Sequence, residues 1–196
     1  MDPSAAEQVF WEWVDGFVSR PHPELGREGP VCPFVPRLVE AGTLHVEVDD
    51  SLDGKDTAAM EERMRAAVTA FEALPDPKRS ALVVLFPNVV GPDVAVADRV
   101  QEALKPECVS KGLMVGQFHP LSTEPGARNP EFHANRSPIV AIAVRHMSHH
   151  DIVFLYRSPE MFREYEARYG DRYSNGGDLD PFLVDRYEAA AARFGA

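Results

Sequence analysis

The chain has 196 residues, 44% of them hydrophobic and 26% charged, ordinary globular values that allow one domain with a core needing no metal or disulfide staples. Its formal charge of -11 removes the basic face that nucleic acid requires and disfavours anionic membrane surfaces by the same Coulomb argument. No apolar run approaches the roughly 18–20 residues of a bilayer span, so neither nucleic acid nor membrane is expected as a partner.

Taken in chain order, Ser4 and Glu7 have capping-box spacing, and Val9, Phe10, Trp13, Val14 and Phe17 fall on one face of a first helix. This start has no basic leader, which predicts a cytoplasmic protein with Cys32 and Cys108 reduced. The segment 20–43 reads as a Pro-rich connection, because its prolines forbid a long helix or a central strand. Residues 44–50 alternate like a strand. Asp56 is placed to cap a helix whose stripe is Met60, Met64, Val68 and Phe71.

Residues 80–87 form a continuous apolar run of strand length, predicting burial on both faces. Gly91-Pro92 opens a helix with Val96, Val100 and Leu104 inward. Residues 113–120 and 139–147 read as two strands joined by a polar loop. Ser148 with Asp151, Ser158-Pro159 and Asp180-Pro181 then start three helices. The order predicts an α/β or α+β fold, a mixed sheet of about four strands packed with helices. We expect one domain over 1–196 with a C-terminal helical extension at 157–196. Aromatics crowd that extension (Phe162, Tyr165, Tyr169, Tyr173, Tyr187), which predicts that part of its surface packs over the sheet and part makes a homodimer contact.

Chemistry concentrates between Gly116 and His150, where every histidine except His22 and His45 is found. A loop this long between strands is often functional. His119 ends one strand and is a candidate general base, metal ligand or haem ligand. The alternative is a strand-end histidine that bonds the loop. Gln117 shares its face and His146 lies on the next strand, both candidates for cofactor binding. His119, His133 and His146 form a candidate set for a divalent metal, though without the close spacing of a specific motif. Parallel pairing of the two strands would join His119 and His146, whereas antiparallel pairing would hold them some 20 Å apart.

Arg136 is the candidate anchor for a carboxylate or phosphate, with Asn135 and Ser137 as neutral donors beside it; the alternative is a loop-anchoring ion pair with an acidic residue, and Arg145 could serve either role. Cys32, before proline, is a candidate nucleophile or haem ligand, or else a buried filler beside Phe34. If Phe118-His119-Pro120 and Asn135-Arg136-Ser137-Pro138 form one site, His119 and Arg136 face a common cavity, with Cys32 in its wall.

The succession Cys32-Pro33-Phe34, Phe118-His119-Pro120 and Asn135-Arg136-Ser137-Pro138 resembles bacterial families known as domains of unknown function, whose members carry these motifs in that order. The resemblance implies a shared α/β fold and a site near the motifs, and it implies no activity. The residues themselves predict a small-molecule enzyme acting on an anionic metabolite, with a haem- or metal-dependent oxidoreductase as one form. The competing expectation is a non-catalytic ligand-binding or accessory protein.

Overall fold

The computed structural model describes residues 1–174 and 179–195. The chain divides into two compact units. One comprises Met1–Leu104 and Val115–His146, the other Lys105–Met114 and Met147–Ala196.

In the first unit, α1 (Pro3–Trp13) starts one residue before the expected cap. Asp2 is the N-cap and accepts from the Ser4 amide, because Pro3 is preorganised for the first helical position. The helix then widens into a π-helical turn, Val14–Val18, closed by the Ser19 amide on the Val14 carbonyl at 2.9 Å. The Pro-rich stretch holds only a one-turn 3-10 helix, Pro23–Leu25, and the short α2 (Val35–Glu40). It is tied back by Val31 N–H to the Arg20 carbonyl and Cys32 N–H to the Val18 carbonyl. Strand β1 (Leu44–Val48) leads to α3 (Thr57–Glu72), whose N-cap is Asp56, with Met60, Met64, Val68 and Phe71 all buried. Next come β2 (Ala81–Phe86), α4 (Val96–Ser110), β3 (Leu113–Phe118) and β4 (Val140–His146).

The sheet order is β1-β2-β4-β3, with β1 parallel to β2 and β4 antiparallel to β2. The Met147 amide bonds the Gly112 carbonyl at 2.8 Å, so the end of β4 meets the start of β3 and these neighbours run antiparallel. Every residue of β2 is buried, as a continuous apolar run requires. Val83, Leu85, Ile139 and Ala141 face α1, where Phe10 and Val14 pack on them. The alternate residues, Val84 paired with Ile142 and Leu82 with Val144, face α3. The C-terminal ends of β1, β2 and β3 and the start of β4 thus share one rim. In α/β sheets that rim is the usual place for a ligand.

The second unit has its own core of Phe162, Tyr165, Ile152, Leu155 and Leu183. Ser148 and Asp151 form the full capping box over the 3-10 turn His149–Asp151, followed by α5 (Ile152–Leu155). Then come α6 (Pro159–Ser174) and α7 (Pro181–Phe194), which Asp180 caps. The aromatics that the sequence concentrates here pack within this core or against it. Phe154, 49% exposed, is the one large hydrophobic of the unit that stays open among the described residues.

Burial presses His149 from its ordinary 6.5 down to about 4, helped by the His150 ring and the Arg172 guanidinium. The unfolded chain takes up this proton near pH 6.5 and the folded one only near pH 4. Stability is therefore full above about pH 6.5 and falls as pH drops through that window. With allowance for solvent screening at a half-buried site, the loss is about 1–2 kcal/mol. Urea midpoints at pH 7 and pH 4.5 should show that His149→Gln removes this part of the acid sensitivity. Equal losses in both proteins would contradict the assignment.

Candidate functional site

The long connection 119–139 leaves β3 and re-enters β4 at the rim, and its base is locked from both sides. The His119 amide donates to the Asn135 carbonyl at 3.2 Å, and the Asn135 side-chain amide donates to the Gln117 carbonyl at 3.0 Å. Within the loop, the Gly126 amide donates to the Phe132 carbonyl at 2.8 Å. A Cβ at Gly126 would stand 2.7 Å from the carbonyl oxygens of both Asn129 and Phe132, so this closure needs glycine. Asn129 reaches across to the Glu24 carbonyl at 2.9 Å, fastening the loop to the segment after the π turn.

Between these segments lies an open, solvent-facing cavity of about 560 Å³. Its aromatic wall is Trp13, Phe17 and Phe132, and Phe17 stands on the π turn, a distortion frequent at functional sites. Three basic side chains join that wall. The His22 ring stacks on Phe132 with centroids 4.6 Å apart, and its Nδ1 accepts from the Glu24 amide at 3.3 Å. In the neutral ring that leaves Nε2 as an N–H donor. His133 is fixed the other way: its Nδ1 donates to the Glu124 carbonyl at 3.0 Å, so its Nε2 carries the lone pair.

Arg136 donates from Nε to the Ser122 carbonyl at 2.9 Å. Its two terminal nitrogens bond nothing among the described residues, and they keep the planar fork that suits a carboxylate. Glu24 and Glu131 complete the charged lining.

His119 does not share this cavity. Phe118 packs edge-on to Trp13 on the α1 side, and strand alternation turns His119 to the other face, toward α4. There it is 2% exposed, with Nε2 3.1 Å from both carboxylate oxygens of Asp98. Gln117 donates to the same carboxylate at 3.2 Å. The expectation of one cavity for His119 and Arg136 is therefore corrected: they lie on opposite faces of the sheet.

The metal set is corrected likewise. His146 is at the far end of the antiparallel pair, its ring 5.7 Å from that of Phe71. Among the described residues no group of three or more His, Cys, Asp or Glu is arranged to hold a metal ion.

The remaining candidates have partners of their own. Asn135 holds the Gln117 carbonyl, and Ser137 lines the cavity beside Arg136 with its hydroxyl hydrogen given to the Ile139 carbonyl. Arg145 stacks over the Phe34 ring at 4.5 Å and donates to the His146 carbonyl. Cys32 is a partly buried free thiol outside the cavity lining, with its amide on Val18. Sequence reasoning missed Asp98, His22 and the aromatic wall. The usable signal for the wall was Trp13 and Phe17, large aromatics just before a proline cluster.

Fold and cavity together define a mixed α/β domain with an Arg- and His-bearing cleft at the strand ends. The chain belongs to the family described as Domain of unknown function (DUF6875), whose model matches residues 7–179 and so spans all three motifs. No curated protein and no solved structure matches it. Among the described residues no helix is long and apolar enough to cross a membrane.

Proposed function

We propose that this protein is a small-molecule enzyme acting on an anionic metabolite with an apolar or planar body, bound in the cleft between the π turn and the 119–139 loop. The observation that carries the reading is the convergence of the Arg136 fork and two histidines of fixed, opposite tautomer on one aromatic wall. Arg136 anchors the carboxylate, Trp13, Phe17 and Phe132 cover the body, and His22 donates to a substrate oxygen. His133 Nε2 takes a proton from the bound molecule, as a general base must from within hydrogen-bond reach. The chemistry these residues would supply is acid–base. A second reading, ligand binding without turnover, is favoured by one detail: the partner of His133 is a neutral carbonyl, which stabilises an imidazolium less than a carboxylate does.

Titration calorimetry with phenylacetate is the test. Wild type should bind, and Arg136→Ala should lose at least tenfold in affinity, about 1.4 kcal/mol or more. Arg136→Lys should recover only part, having charge without the fork. His133→Asn keeps a donor for Glu124 while removing Nε2, so it should bind normally in either reading and lose turnover only in the enzyme. Unchanged affinity in Arg136→Ala would end the anchoring role.

A further inference from the structure

We infer that the ligand is an amphipathic anion whose aliphatic tail lies in a second, apolar cavity beyond the Pro120–Pro138 pair; this rests on the reading of Arg136 as head-group anchor. The second cavity, about 330 Å³, has Val89, Val90, Val94, Leu121 and Ile139 in its lining together with those two prolines, and Met1, whose terminal ammonium is held by the Asn88 side-chain oxygen at 2.8 Å, also borders it. None of these side chains is charged or carries a hydrogen-bond donor. The same Pro120 and Pro138 also line the head-group cavity, so the two concavities meet along one ridge.

That ridge has an unusual chemistry. Pro87 follows β2 directly, Pro120 stands two residues after the end of β3, and Pro138 stands two residues before the start of β4. Proline has no N–H, so these three positions present no backbone donor that a hydrocarbon would leave unsatisfied. Val90 and Leu121 are 63% and 60% exposed beside it. Single exposed apolar residues carry no meaning, but here they border a half-open apolar concavity. An alkyl chain fits such a concavity. A protein partner would need a broad face instead.

Straight-chain carboxylates from butyrate to decanoate supply the test, with phenylacetate as a head-group control. Wild-type affinity should rise about fourfold per added methylene once the chain crosses the ridge, the factor expected for burying one CH₂. Leu121→Asp and Val90→Asp, both at exposed positions, should flatten that slope and leave phenylacetate affinity unchanged. Arg136→Ala should weaken every chain length alike and keep the slope. If phenylacetate binds through Arg136 but affinity is independent of chain length, the tail site is wrong and the head site stands. If no carboxylate binds, short or long, both are wrong.

Discussion

Replacing His119 with alanine is expected to destabilise the sheet unit by about 2–4 kcal/mol and to leave carboxylate binding at Arg136 intact. The ring is almost wholly buried, so its removal opens a cavity at the end of β3. It also takes away the Nε2–H that Asp98 accepts on both oxygens, leaving Gln117 as the remaining partner of that carboxylate in the cluster. One term opposes the loss. The Nδ1 of His119 is buried without a partner among the described residues, an unfavourable feature that alanine removes. His119→Gln, whose amide nitrogen reaches toward the place of Nε2, should therefore recover part of the stability. Both tryptophans, Trp11 and Trp13, belong to this unit, so urea unfolding followed by tryptophan emission reports on it directly. A variant as stable as wild type that no longer binds phenylacetate would make His119 a ligand-contacting residue after all.

That outcome bears on what the sequence could disclose. Elements with a strong period were legible: the unbroken apolar run of β2, the Met60–Phe71 stripe of α3, and the capping box of Ser148 with Asp151. Strand parity correctly set Gln117 and His119 on one face and Phe118 on the other. What parity cannot say is which face the following loop turns toward. Once past Pro120 the chain crosses to the α1 side, and Arg136 goes with it.

The partner of His119, Asp98, sits on a helix surface in the unremarkable run Val96-Ala97-Asp98-Arg99, where nothing local distinguishes it from a solvated carboxylate. The same holds for His22. Its contact with Phe132 joins segments distant in sequence, brought together by the loop closure at Gly126 and the Asn129–Glu24 bond among other contacts. Candidate residue types were thus readable in the loop, while their grouping into a site was a tertiary fact.

In the second unit the largest expected effect falls on Tyr165, which is fully buried at the centre of a chain of hydroxyls. Its O–H donates to the His149 carbonyl at 2.7 Å. A phenol has one hydrogen, so the 2.6 Å contact with the Tyr173 hydroxyl must be donated by Tyr173. Tyr169 adds a third tie, to the Met147 carbonyl at 2.6 Å, and Tyr173 stacks face to face on Tyr187 at 3.8 Å. Burial, followed by the Tyr173 hydroxyl, drives the Tyr165 phenol far above its ordinary range, so it remains a donor at any pH the fold survives.

Tyr165→Phe keeps the ring and strands the His149 carbonyl, which costs about 1–3 kcal/mol. Tyr165→Ala also empties the centre of the core, about 3–5 kcal/mol. A unit this small holds little stability in reserve, so the alanine variant should lose its fixed tertiary packing at 25 °C. All five tyrosines lie in this unit and both tryptophans in the other, which lets one sample report on each separately. The tyrosine near-ultraviolet dichroism should collapse in Tyr165→Ala and weaken little in Tyr165→Phe. An alanine variant that keeps the wild-type tyrosine signal and urea midpoint would show that the hydroxyl chain decorates this core without holding it.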